Sequence, residues 1–204
     1  MTDIIDLIRS QQALIHHSAE ARPPVHSPEM LLIGCVDARL NPKTDMGIPD
    51  GAALIHRNIA ALVRGKPVAG DHEGSSVGAS LQLAINVMRV KHIVVMGHTD
   101  CGGIRACLED SHSHDTQDIR RYLLPLSAAR EQVVAEGGNI KAQARAMEEA
   151  AVRQSVTNLM GYQLVQDALR NGHCDIHGWV INTATKRISE MDLSSGQFTS
   201  MAAG

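Results

Sequence analysis

The chain reads as an α/β protein: a mainly parallel central sheet with helices on both faces and an N-terminal helical arm. Three observations predict this. Short apolar runs bounded by turn residues alternate with longer helical stretches, the pattern of strands joined by crossover helices. The first run, Met-Leu-Leu-Ile-Gly-Cys-Val, is apolar throughout, as a strand covered on both faces is. Residues with chemical potential stand where these runs end, where open parallel sheets collect ligands.

The elements follow in order. Residues 2 to 19 form an amphipathic helix, with Ile4, Ile8 and Ile15 near one face and Leu7 and Leu14 beside them. Three prolines between Ala21 and Pro28 end it. Met30 to Val36 reads as a buried strand and Ala52 to His56 as a second. A polar loop from Gly70 to Ser76 leads into a helix over Val77 to Val90. Lys91 to Met96 is a third strand ending at Gly97-His98, and Gly102-Gly103 opens another helix. Residues 109 to 118 form a polar loop. Helices follow over roughly 118 to 136 and 140 to 170, the second stopped at Asn171-Gly172. Cys174 to Ile181 is the fourth strand, and the small, polar tail after Ser194 is expected to be ordered only in part. No repeat divides the chain, so residues 1–204 are expected to form a single domain, with 1–20 as its arm.

Composition narrows the function. The 204 residues are 44% hydrophobic, enough for a sizeable core, and the net charge of -3 comes without a basic block. Aromatics are only 2% of the chain, too few for base-stacking platforms, so nucleic acid is not an expected partner. The N-terminal apolar residues are interrupted by acids, with no signal-peptide pattern, and no apolar run is long enough to span a bilayer. A cytoplasmic, membrane-free protein is expected. Four widely spaced cysteines, at 35, 101, 107 and 174, point to metal binding or catalysis rather than a disulfide framework.

Two motifs carry the chemistry. Cys35-Val36-Asp37-Ala38-Arg39 leaves the first strand, and His98-Thr99-Asp100-Cys101-Gly102-Gly103 leaves the third. Two thiolates and an imidazole suit zinc, and three protein ligands leave a fourth tetrahedral position open. Cys101 stands at a helix start, where the dipole favours its thiolate. Asp37 and Arg39 are superfluous to a structural zinc. The carboxylate lies within reach of the fourth position, and the arginine holds it back in a charge-assisted pair. Cys174-Asp175-Ile176-His177 repeats the metal-pair spacing, but residues three apart on a strand face opposite sides, so it reads as core.

The sequence resembles the β-class carbonic anhydrases. Their Cys-x-Asp-x-Arg and His-x-x-Cys pair is matched completely, together with Leu54-Ile-His-Arg-Asn58, Val90-Lys-His-Ile-Val-Val-Met-Gly97, Ser155-Val-Thr-Asn-Leu159 and His177-Gly-Trp179. The resemblance runs from about residue 25 to 190. It implies zinc-dependent, reversible hydration of carbon dioxide to bicarbonate and a proton. It also implies Cys35, His98 and Cys101 as zinc ligands, Asp37 and Arg39 as the catalytic pair, and a substrate contact from the Gly102 backbone N–H. Homodimers or larger homo-oligomers, with sites near the subunit interface, are implied too. Where many members carry a substrate-contacting Gln two residues before a Pro, this chain has His26, a candidate substrate contact. Two other readings remain open: a carbon disulfide or carbonyl sulfide hydrolase on the same fold, and a non-catalytic zinc-binding protein.

Overall fold

The computed structural model describes residues 3–18, 26–65, 75–109 and 116–201, with the side chains of 13–18 outside that set. Most of the three loop expectations (residues 21–28, 70–76 and 109–118) and the side chains of Leu14 and Ile15 lie outside the described residues.

One six-stranded sheet runs β2-β1-β3-β4-β5-β6. Strands β1 (Met30–Cys35), β2 (Ala53–Asn58), β3 (His92–His98) and β4 (Asp175–Ile181) are parallel. Contiguous apolar side chains explain them: Leu31 to Cys35 and Ile93 to His98 are buried on both faces. The chain leaves β1 for β2 on one side, while β3 and β4 lie on the other. The strand order therefore reverses between β1 and β3, and a crevice opens there at the carboxyl ends.

Strand β5 (Ile188–Met191) adds antiparallel to β4, and β6 (Phe198–Ser200) antiparallel to β5. Strand β6 lies in the tail after Ser194, whose last three residues, 202–204, are outside the described set. The loops before β5 and β6 share one device. Asn182 Oδ1 accepts from the backbone N–H of Ala184 and Thr185, and Asp192 Oδ1 accepts from those of Ser194 and Ser195. Lys186 and Gly196 then take the left-handed conformation that closes each loop.

The helices are α1 (Ile4–Ser18), α2 (Pro42–Met46), α3 (Ser76–Gln82), α4 (Gly102–Glu109), α5 (Gln117–Leu123), α6 (Ser127–Glu136), α7 (Ile140–Met160) and α8 (Gln163–Arg170). A π-helical turn, Leu83–Met88, continues α3, so the expected helix over 77–90 changes its winding midway. The helix expected over 140–170 breaks at Gly161-Tyr162 instead of running through.

Two cores cover the sheet. On one face Leu31, Ile33, Ile93 and Val95 meet α3, α8 and, from α7, Val152, Val156 and Leu159. On the other Leu32, Val94, Met96 and Ile181 meet Ile104, Leu123, Leu126 and Met147 of the α4–α7 layer. Helix α7 sits close because β3 and β4 offer glycines to it. A Cβ on Gly97 would stand 2.7 Å from Val152 Cγ2, and one on Gly178 would stand 3.1 Å from Val152 Cγ1.

Candidate metal centre

Cys35 closes β1, His98 closes β3 and Cys101 immediately precedes α4, so the two motifs converge on the β1/β3 crevice. All three side chains are buried, and their donor atoms lie within 4.8 Å of one another. The two sulfurs are 4.0 Å apart. A tetrahedral zinc with bonds of about 2.3 Å spaces its sulfurs by about 3.8 Å.

The protonation pattern favours a cation. Thr99 O accepts from His98 Nδ1 at 2.9 Å, which leaves the Nε2 lone pair facing the sulfurs. That Nε2 is buried without a hydrogen-bond partner. The hydrogen bond from Cys101 lowers the Cys35 thiol to about 4 against the opposing effect of burial. The same bond, burial and the Cys35 charge push Cys101 upward. The pair thus keeps one proton between them, and a divalent cation is what allows two thiolates there. Burial pushes His98 down, but the neighbouring Cys35 thiolate outweighs that and the net shift is upward. The donor set, its spacing and its orphaned nitrogen fit zinc.

Asp37 stands beside these donors, its Oδ2 3.9 Å from His98 Nε2. Arg39 holds it with both ends of a fork: Nε to Oδ1 at 2.9 Å and an Nη to Oδ2 at 2.7 Å. The Arg39 backbone N–H adds a third bond at 2.9 Å. These bonds, the side-chain pair foremost, keep the Asp37 carboxyl far below its usual range. A hollow of about 200 Å³ opens next to the cysteines, walled by Val36, Asp37, Ile59, Gly102, Ala106 and Ile119. Gly102 starts α4 and faces open space. Gly103 has no such freedom, because a Cβ there would meet Ile59 Cγ2 at 2.7 Å. A larger hollow, about 450 Å³, lies at the amino ends of β3 and β4, away from these donors.

Three supporting residues complete the frame. Arg57 donates to the carbonyls of Cys35 at 2.8 Å and Asp37 at 2.6 Å. Lys186, from the β4–β5 loop, donates to Arg39 O at 3.0 Å. Glu148 of α7, 4% exposed, accepts from the Cys101 backbone N–H at 3.3 Å, and burial raises its carboxyl. The sequence reading did not single out Glu148 or Lys186. Glu148 had a signal: it is four residues before Val152, seven before Ser155 and eleven before Leu159, all on the buried stripe of α7.

His26 does not join the site in its own chain. It is exposed, and its segment runs into the amino end of β1 through the bonds of Ser27 to Gly51 O and Glu29 to Ala52 O. Cys35 closes the opposite end, and the five strand steps alone cover about 17 Å. The Cys174 decoy resolves as expected, with Cys174 buried in the α3/α8 core and His177 on the other face.

The sequence model of a family described as carbonic anhydrase matches residues 30–188. Curated relatives include beta carbonic anhydrase 6, mitochondrial, of Arabidopsis thaliana, 32% identical over 174 residues, covering 83% of this chain and 58% of the relative. The carbonic anhydrase of Candida albicans is 33% identical, over 84% of this chain and 59% of its own. That of Pseudomonas aeruginosa is 31% identical, over 86% and 79%. The chain thus spans less than two thirds of the length of the first two. Among solved structures, a tetrameric β-carbonic anhydrase of Sordaria macrospora superposes with TM-score 0.77 at 26% identity, over 95% of this chain and 96% of that one. The β-carbonic anhydrase CafA of Aspergillus fumigatus gives 0.73 at 27%, over 93% and 85%. With the Cys35–His98–Cys101 geometry in place, these matches put the chain in the β-class carbonic anhydrase family.

Proposed function

We propose that this chain catalyses the reversible hydration of carbon dioxide to bicarbonate and a proton, as a zinc enzyme with Cys35, His98 and Cys101 as ligands. The observation that carries this reading is the ionised Asp37 beside the donor triad, pinned by Arg39 rather than turned onto the metal position. A structural zinc has no use for such a pair.

Zinc, when bound, supplies a Lewis acid that brings a water's pKa to about 7. Asp37 accepts the hydrogen bond of the attacking water and so orients its lone pair, while Arg39 keeps that carboxylate from filling the fourth coordination position. Val36, Ile59, Ala106 and Ile119 give linear, apolar carbon dioxide an apolar wall. The Gly102 N–H, at the start of α4, offers its dipole to the negative charge that grows on the substrate oxygen.

The proposal includes a single domain with residues 1–20 as an arm, a cytoplasmic setting and a homo-oligomer. Four free cysteines support the reducing compartment. Among the described helices none is long and apolar enough to cross a membrane. Ile4, Ile5, Leu7 and Ile8 of α1 are all about half exposed or more, an apolar face that a second copy would cover. Since His26 lies at the far end of β1 from its own site, a substrate contact from it requires that second copy.

Stopped-flow hydration of carbon dioxide by the zinc-loaded protein tests the activity, with carbon disulfide and carbonyl sulfide assayed in parallel. Catalysed proton release from carbon dioxide is the expected result. Full zinc occupancy with hydration no faster than buffer would leave a non-catalytic zinc protein. Turnover confined to the sulfur compounds would reassign the substrate.

A further inference from the structure

The loops before β5 and β6 are built alike, yet they differ at one position. In each, an asparagine or aspartate side chain accepts from two following N–H groups, and the residue four places after it donates its own N–H to that residue's carbonyl. Lys186 donates to Asn182 O and Gly196 to Asp192 O, both at 2.8 Å. Both donors are left-handed, with φ 59° at Lys186 and 72° at Gly196. Glycine takes this conformation without steric cost, and other residues do not. The β5–β6 loop, at the far end of the sheet from the metal centre, uses glycine. The β4–β5 loop, which meets that centre at the carboxyl end of β4, uses a lysine.

The lysine's contacts account for the exception. Its Nζ donates to Arg39 O at 3.0 Å and to Asp45 Oδ2 at 3.1 Å. The same Asp45 oxygen accepts from the Asn41 backbone N–H at 2.9 Å, so the ammonium joins both ends of the segment that follows the Cys-x-Asp-x-Arg motif. Arg39 is thereby held along its whole length. Its N–H is on Asp37 Oδ1, its side chain is on Asp37 and on Asp100 O, and its carbonyl is on Lys186. The loop also reaches the second motif. Thr183 N–H donates to Thr99 Oγ1 at 3.0 Å, and Thr99 O is the acceptor that orients the His98 ring.

We propose that Lys186 is a positioning residue that keeps the Arg39 fork on Asp37 and so keeps the fourth coordination position of the metal open. This rests on the reading of Arg39 as the group that holds Asp37 off the metal. The two bonds of the lysine go to Arg39 and Asp45 and not to the metal donors, so it acts through Arg39. Without it the main chain at Arg39 is free to shift, the fork loosens, and Asp37 turns toward the donors. A glycine would suit the backbone at 186 better, but it has no ammonium to place there.

The protein loaded with cobalt in place of zinc tests it, with thiocyanate as the probe. An anion that enters the fourth position changes the visible spectrum of the cobalt, and an Asp37 that fills the position excludes it. Lys186→Met should still take up one cobalt per chain but bind thiocyanate roughly three- to tenfold more weakly, the worth of about one hydrogen bond. With zinc, its kcat for carbon dioxide should fall by a like factor at unchanged KM. Lys186→Arg should stay near wild type in both. Asp45→Asn keeps an oxygen for Asn41 but loses the charge that anchors the ammonium, and it should weaken thiocyanate too. Charge alone predicts otherwise, since removing a cation weakens the binding of an anion and removing a carboxylate strengthens it. Unchanged thiocyanate affinity in Lys186→Met, an equal loss in Lys186→Arg, or tighter binding in Asp45→Asn would each overturn the proposal. A wild-type protein that binds thiocyanate but does not hydrate carbon dioxide would refute the proposed function, and the thiocyanate comparison would still decide the role of Lys186. A wild-type cobalt protein that excludes thiocyanate would overturn the open gate and this proposal with it.

Discussion

His92 and His98 stand on one face of one strand, six residues apart, and meet opposite surroundings. His98 is 1% exposed and faces two sulfurs. His92 is half-buried and faces a second imidazole backed by the Glu190 carboxylate. The difference shows what makes a metal obligatory. At the carboxyl end, two thiols and an orphaned nitrogen are buried together, and only a cation satisfies them all at once. At the amino end, a single shared proton already satisfies both rings, so folding does not depend on an ion. Histidine count therefore says little; the charge of the companions and the access of water decide.

The sharpest way to break this comparison is Cys101→Ser. We expect it to lose zinc and to lower carbon dioxide hydration by roughly 10³-fold or more, whereas His177→Gln and Cys174→Ser keep both. Full zinc occupancy in Cys101→Ser, measured by metal analysis, would contradict the ligand set. Arg39→Ala comes next. It frees Asp37 to close the fourth position, so zinc stays while turnover falls by roughly 10²-fold, the cost of a misplaced group. Turnover near wild type would remove the gate from the mechanism.

Two neighbouring glycines sharpen the comparison within the carboxyl end. Gly103→Ala drives a Cβ into Ile59 and is expected to destabilise the fold by about 1–3 kcal/mol, read as a shift in the urea midpoint. Gly102→Ala meets nothing within 4 Å and should leave that midpoint unchanged or slightly raised. Equal shifts in the two would mean that α4 does not approach Ile59 as described.

The smallest expected effect lies away from both ends, in the β5–β6 loop. The Ser194 hydroxyl and the Ser195 N–H and hydroxyl, the first foremost, lower the Asp192 carboxyl to about 2 from an ordinary 3.8. A depressed folded-state value contributes stability above the unfolded value and loses it as pH falls through the folded one. Asp192→Asn should therefore be slightly less stable than wild type at pH 5, and the gap should narrow toward pH 2. A gap that is constant with pH would mean that the carboxylate charge is not what these donors hold.

Most of the parallel sheet and the metal centre could be read before any coordinates. Strand β1 and the centre of β3 are apolar runs, β4 alternates, and Cys35, Asp37, Arg39, His98 and Cys101 fall at the ends of β1 and β3, where sheet topology concentrates chemistry. The antiparallel pair β5–β6 escaped because it is short and half-exposed, and its first loop turns on Lys186 rather than glycine. The break at Gly161-Tyr162 escaped because apolar spacing continues across it into α8. Glu148 was hidden by a second glutamate beside it; its role depends on which of the two faces the sheet. The distance from His26 to its own site follows from strand direction, which a local resemblance does not carry.

Val152 touches the spaces above both Gly97 and Gly178, so three positions from β3, α7 and β4 share one small volume. Over evolutionary time they cannot drift independently. A lineage that shortens residue 152 gains licence for alanine at 97, and one that keeps valine must keep Gly97, whereas Gly178 stays confined by Met191 as well. Related sequences should show these substitutions arriving together. In the laboratory, Val152→Ala should rescue Gly97→Ala, although each change alone is harmful.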